Sequence, residues 1–181
     1  MSERKGDWMI TFTGRQFWPL DPRPDEVCID DIATALAHTG RYNGQGRHFF
    51  SVAQHSTLLA RWFLAKGDTP LARWALLHDG SEAYAGDVIR PIKPFLAGFA
   101  EIEHRLERAV WSAFGLDGDL PAAVKDADQK IRTDEMLALF PREALQRYGL
   151  DQRAGLGLEV RPLLPTAARD RFMETYRELF A

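Results

Sequence analysis

From Ile29 onward, apolar positions recur every three or four residues, the spacing of one face of an α-helix. In IDDIATALAHT, Ile29, Ile32, Ala33 and Leu36 share a face, and Gly40 predicts a stop. HFFSVAQHSTLLARWFLAK, from His48 to Lys66, predicts a strongly amphipathic helix ending at Gly67. Thr69 followed by Pro70 predicts an N-cap with proline at the first helical position, opening PLARWALLHD. The two prolines of VIRPIKPFL break any helix there. Three more helices are predicted: AEIEHRLERAVWSAFG, DLPAAVKDADQKIRTDEMLALF with Asp119 as cap and Pro121 just inside, and TAARDRFMETYRELF. Residues 149–165 predict a Gly- and Pro-bearing loop. Residues 8–28 differ: MITFT is β-prone, and Gly14 with Pro19, Pro22 and Pro24 prevents a long helix, so an irregular arm or short hairpin is expected. Helices joined by short loops, with little strand signal after residue 13, predict an all-α fold.

The same periodicity places certain polar residues among apolar ones. His55 shares a stripe with Val52, Leu59 and Trp62, and His78 shares one with Leu71, Trp74 and Ala75. Asp128 shares a third with Val124 and Ile131, whereas Asp126 lies on the opposite side of that helix. A single histidine on an apolar face is more often a hydrogen-bonded core residue than a ligand, and an inward aspartate usually caps a helix or pairs with an arginine. Here three stripes are each interrupted once, by His, by His-Asp and by Asp. An unpaired buried carboxylate costs several kcal/mol. One buried divalent cation would satisfy all these groups together. Two imidazoles and two carboxylates also leave positions open for water and substrate.

Composition narrows the setting. The chain has 181 residues, 45% hydrophobic and 27% charged, with net charge −3. That composition predicts one folded domain over 1–181, an arm at 1–28 and a helical core at 29–181, and argues against disorder. No excess of Lys and Arg favours a nucleic-acid duplex or an anionic membrane, so an anionic ligand must be held by a few local cations. The lone Cys28 permits no internal disulfide, MSERKGDWMI holds no signal-peptide core, and no uncharged apolar run approaches about eighteen residues. A soluble cytoplasmic domain is expected.

At VAQHS and ALLHDGSEAYAGDVIRPIK the sequence resembles the HD-domain metal-dependent phosphohydrolases, whose pattern is a distant His, an adjacent His-Asp pair and a later Asp. It is most similar to the single-domain 5′-deoxynucleotidases and related deoxynucleotide triphosphohydrolases, which share QHS on one helix and LLHDxSE…GD…P…K on the next. The match runs over about residues 38–135. The resemblance implies an HD-type helical bundle holding one divalent transition metal (Mn, Co, Fe, Ni or Zn) on His55, His78, Asp79 and Asp128. Both the family's Ala-Asp dipeptide and the helical stripe select Asp128 over Asp126.

By the same resemblance, Glu82 positions or deprotonates the attacking water, and Asp87 assists proton transfer or holds the sugar hydroxyl. Lys93 and Arg41 match phosphate-contacting cations of the family. Arg41 stands fourteen residues before His55, followed directly by Tyr42, where the family carries Arg and an aromatic, commonly Trp; the change to Tyr bears on base and sugar selectivity. The implied activity is hydrolysis of a nucleotide phosphate ester, a deoxyribonucleoside 5′-phosphate foremost, by water held at the metal. Members of the family often form homodimers. Two other readings stand beside it: a metal-containing nucleotide-binding module without turnover, and a cyclic-nucleotide phosphodiesterase. The second would need further His ligands than His38, His48 and His104 offer.

Overall fold

The fold is all-α apart from one small hairpin. The computed structural model describes residues 4–147 and 149–181, so the first three residues of the expected arm lie outside it. Within that arm, β1 (Met9–Ile10) pairs antiparallel with β2 (Gln16–Phe17), Met9 opposite Phe17. The turn between them docks on the first helix: the carboxylate of buried Asp31 accepts from Thr13 N at 2.7 Å and from Thr13 Oγ1 at 3.0 Å. Phe17 is fully buried and stacks on Tyr84 at 3.8 Å between ring centroids, so the arm is part of the core.

The helices follow as α1 (Ile29–His38), α2 (Val52–Leu64), α3 (Thr69–Leu77), the single turn α4 (Glu82–Ala85), α5 (Phe99–Ala113), α6 (Ala122–Leu139), the short α7 (Arg142–Arg147) and α8 (Pro165–Phe180). Helices α2 and α3 pack along each other, α8 returns to cover α1, α2 and α3, and α6 lies against α2 and α3. Ile32, Leu36, Leu59, Leu76, Leu77, Leu106, Ile131 and Phe172 form the buried centre where these faces meet. Arginines hold α8 in place: Arg73 Nε donates to Leu179 O at 2.6 Å, and Arg169 donates to Asp30 and Thr34 of α1. Gln54 anchors the long loop before α8 to α2, donating to Arg161 O at 2.6 Å and accepting from Leu163 N at 3.0 Å.

Several boundaries differ from the periodicity. The helix expected from His48 begins at Val52, because Ser51 caps it by accepting from Gln54 N while Ser51 also bridges Gly40 as extended backbone. Phe49, just before that start, is exposed, and Trp62 is only half-buried; Trp74 and Trp111 are buried. Asp68, not Thr69, caps α3, accepting from Leu71 N. Asp119 does not cap α6, which starts behind Pro121. Helix α7 falls in a stretch with no predicted element.

Candidate metal centre and cleft

Three helices deliver the predicted groups to one point. His55 leaves the middle of α2, His78 caps the C-terminus of α3 with Asp79 next to it, and Asp128 sits one turn and a half into α6. The His55 and His78 Nε2 atoms face each other at 3.3 Å. Asp128 Oδ1 lies 3.2 Å from His55 Nε2 and 3.8 Å from His78 Nε2, and Asp79 Oδ2 lies 3.6 and 3.3 Å from them. One donor atom from each of His55, His78 and Asp128 falls within 4.8 Å of the other two.

The tautomers follow from the other ring nitrogens. Nδ1 of His78 donates to Ala75 O at 2.8 Å, and Nδ1 of His55 donates to Glu135 Oε1 at 2.5 Å. With each Nδ1 proton so committed, both neutral rings turn a lone pair toward the shared point, where two carboxylate oxygens already point. Four acceptors cannot satisfy one another; a cation between them can. Without a metal, protons take that place. Burial, the largest influence, lowers the His55 pKa, yet Glu135 and Asp128 carry it up to about 9. His78 is also raised, as Asp79 and Asp128 outweigh burial. Burial works against the charged forms of Asp128 and Glu135, but the imidazoles draw Asp128 well below the carboxylate range, and His55 with Arg41 draws Glu135 to about 2. A divalent cation fits this donor set, which is mixed imidazole and carboxylate with the Nδ1 partners already in place.

Glu135 is fully buried, and its second oxygen accepts from Tyr42 Oη at 2.6 Å and Arg41 Nε at 3.2 Å. Arg41 Nη1 also lies 3.5 Å from Asp79 Oδ2. Burial disfavours its charge, but Glu135 and Asp79 raise its pKa above the usual arginine range. Tyr42 and Asn43 occupy the left-handed region at φ 56° and 51°, a conformation costing roughly 1–2 kcal/mol per residue. The bonds of Arg41 and Tyr42 to one carboxylate hold this turn against that cost.

A cleft of about 590 Å³ opens above the centre, with Asp79 and Asp128 on its floor and Arg41, Tyr42, Glu82, Asp87 and Lys93 among its walls. The helix does not continue from His78 to Glu82. Tight turns intervene, with Gly80 N bonding Leu77 O and Glu82 N bonding Asp79 O, before α4 begins. Glu82 still reaches the cleft. It is 9% exposed, and its buried Oε2 has no hydrogen-bond partner among the described residues. Burial, then the charges of Asp79 and Asp87, raise its pKa well above the carboxylate range; burial and Asp79 also raise Asp87. Lys93 Nζ pairs with Glu103 Oε1 at 2.6 Å.

The chain is 35% identical to the uncharacterized protein RCAP_rcc00048 of Rhodobacter capsulatus over 191 aligned positions, covering 97% of this chain and 96% of that protein. It is 31% identical to the uncharacterized protein YfdR of Escherichia coli over 179 residues, 93% of each chain. The chain belongs to their family. No family model matches it.

Within this member, His55, His78, Asp79 and Asp128 meet at the centre, and Arg41, Tyr42, Glu82, Asp87 and Lys93 line its cleft. Arg41 and Lys93 line the cleft wall but are already tied to Glu135, Asp79 and Glu103. Asp126 is exposed and pairs with Lys130 on the outer face of α6. His38 and His104 are exposed, away from the centre. Sequence reasoning missed Glu135, although its signal was present: the stripe Val124, Asp128, Ile131 continues by four residues onto it. It also missed Arg132, which lines the cleft one turn after Asp128. No described helix is long and apolar enough to cross a membrane.

Proposed function

We propose that the chain is a metal-dependent phosphohydrolase that cleaves the phosphate ester of a nucleotide, with deoxyribonucleoside 5′-phosphates the first candidates. The reading is carried by one observation: the acceptor atoms of His55, His78, Asp79 and Asp128 converge on the floor of a cleft that also holds buried, unpartnered Glu82. The ordered motifs VAQHS, ALLHDGSE and KDADQ, which resemble those of the HD phosphohydrolases, support it. His55, His78, Asp79 and Asp128 would hold the metal, which when bound supplies Lewis-acid polarisation of phosphoryl oxygens and acidifies water at the site.

The chain's own groups account for the rest. Glu82 has a free carboxylate oxygen to take a proton from attacking water, and burial beside Asp79 and Asp87 raises its affinity for that proton. Asp87, raised in the same direction, stands ready to pass that proton on or to hold a sugar hydroxyl. Arg41 and Lys93 supply positive charge to the cleft wall where negative charge builds on the phosphate. Tyr42 presents a ring in the cleft wall, packed edge-on against Phe140 at 5.4 Å, as a surface for base or sugar.

The test is to strip the protein with chelator, restore Mn, Co, Fe, Ni or Zn singly, and offer deoxy- and ribonucleoside mono- and triphosphates. Phosphate or triphosphate release should depend on the metal. Glu82→Ala should lower turnover by about 10²-fold or more while the bound metal is retained. A protein that binds metal yet releases nothing from any nucleotide is a binding module, and the enzymatic reading falls.

A further inference from the structure

The loop between α4 and α5 forms one wall of the cleft, yet little fastens it to the rest of the protein. Asp87, Val88, Ile89, Arg90, Pro91 and Lys93 line the cleft from this side. The backbone hydrogen bonds of residues 87–98 stay within the loop and its junction with α5: Ile92 N donates to Ile89 O, Phe95 N to Ile92 O and Leu96 N to Lys93 O. Among the described residues, its side chains make one hydrogen-bonded ion pair, Lys93 Nζ with Glu103 Oε1 at 2.6 Å. Glu103 stands on α5 and does not line the cleft. The apolar side chains Val88, Ile89, Ile92, Phe95 and Leu96 join neither group of core residues, and Phe95 is 85% exposed.

The loop is also built to move as a unit. Gly86 and Gly98 bracket it, both at φ 77°, with open space where a side chain would stand. Without a Cβ either residue can change the sign of φ, which suits a hinge. Pro91 and Pro94 stiffen the stretch between them.

We propose that residues 87–98 form a strap that Glu103 latches open, and that it closes over the cleft when a substrate phosphate takes Lys93 from that carboxylate. The proposal rests on the phosphohydrolase reading and adds a conformational step to it. A partly exposed ion pair such as Lys93–Glu103 is weak in water. A phosphate offers more negative charge, and the lysine ammonium, a compact charge on a flexible stem, can pass from one anion to the other. Closure carries Lys93 and Asp87 inward together. It also brings the uncovered apolar side chains over the ligand, which takes them out of water and water out of the site.

The experiment reads the distance between spin labels on Ala97→Cys, in the strap, and Arg142→Cys, on α7 two residues after the cleft-lining Phe140. Both positions are exposed, and Cys28→Ser removes the native thiol. The protein is Zn-loaded and the probe is inorganic orthophosphate, with its binding followed by calorimetry and the fold of each variant by thermal melting. Saturating phosphate should shift the distance by more than about 2 Å. Glu103→Gln, which keeps the size of the side chain but not its charge, should shift or broaden the distribution without phosphate. Phosphate that binds without moving the labels overturns the proposal, as does a Glu103→Gln variant that keeps the open distance. A defined distance between two singly labelled copies overturns it too, because the apolar side chains would then cover a second molecule. If the protein takes up no Zn or no orthophosphate, the phosphohydrolase reading fails separately. Glu103→Gln then decides the strap alone: a shifted or broadened distribution keeps it, and an unchanged one removes it.

Discussion

At the scale of single residues, the chemistry of the centre is decided by which nitrogen each histidine offers. Glu135 sets that choice for His55, and the backbone carbonyl of Ala75 sets it for His78. The two controls are unequal, because a carboxylate raises the basicity of its imidazole and a carbonyl does so less. Glu135→Gln keeps an acceptor but removes the charge, and should weaken metal binding by about 10–100-fold, measured by calorimetry. Unchanged affinity would mean that Glu135 serves only the turn at Arg41 and Tyr42. Of these residues, the candidate ligands were legible because His, His-Asp and Asp each interrupt an apolar stripe at helical spacing. Glu135 was less so, since its partner lies 80 positions away and a carboxylate near the end of a charged helix reads as solvated until α2 is packed against it.

At the scale of elements, the centre depends on where helices stop. Helix α3 ends at Leu77 so that His78 and Asp79 can turn toward α2 and α6, and the freed Leu77 carbonyl accepts from Trp111 Nε1 at 3.2 Å and from Gly80 N. Gly80 makes that stop tight: a Cβ there would meet Val110 Cγ1 at 2.8 Å and Leu77 O at 3.1 Å. Gly80→Ala should therefore destabilise the fold by about 1–3 kcal/mol in urea unfolding. A neutral effect would show that α5 can move aside. At the other end of the site, Ser51→Ala should cost about 1 kcal/mol by removing the cap of α2, seen as a lower urea midpoint with an unchanged slope. Helix existence was readable from periodicity, but its ends were not. Ser51 and Asp68 won over their neighbours because chain reversals at Gly40–Ser51 and Gly67 fix which residue can cap, and those reversals are tertiary features.

At the scale of the whole molecule, α8 covers α1, α2 and α3 from the first half of the chain, and α6 from the second half lies against α2 and α3, so that acceptor groups from α2, α3 and α6 meet beneath the cleft. The all-α class followed from local pattern alone. The partners of each helix did not, because α8 meets α1, α2 and α3 through contacts more than a hundred residues apart, such as Arg61 with Thr175 and Arg73 with Leu179. Packing the acceptors together has a consequence for stability. A raised histidine pKa means that protonation of His55 favours the folded state fully below its ordinary value near 6.5, and that this contribution is lost as pH rises through about 9. His78 shifts in the same direction. Metal-free protein should thus melt at progressively lower temperature between pH 6.5 and 9. Metal must displace the same protons, so its apparent affinity should rise over that window, and the metal-loaded protein should lose little stability there. Parallel melting curves with and without metal across that range would contradict this linkage.

The claim beneath all of these is that four side chains share one ion. It is tested most directly by an anomalous difference map from a crystal grown with Mn²⁺ and measured near the Mn edge. The account predicts a single strong peak per chain between His55, His78, Asp79 and Asp128, with about 2.0–2.3 Å to each imidazole Nε2 and ligating oxygen. A map with no peak there at saturating Mn²⁺, or with the ion held elsewhere while those four groups keep their own hydrogen bonds, would contradict it.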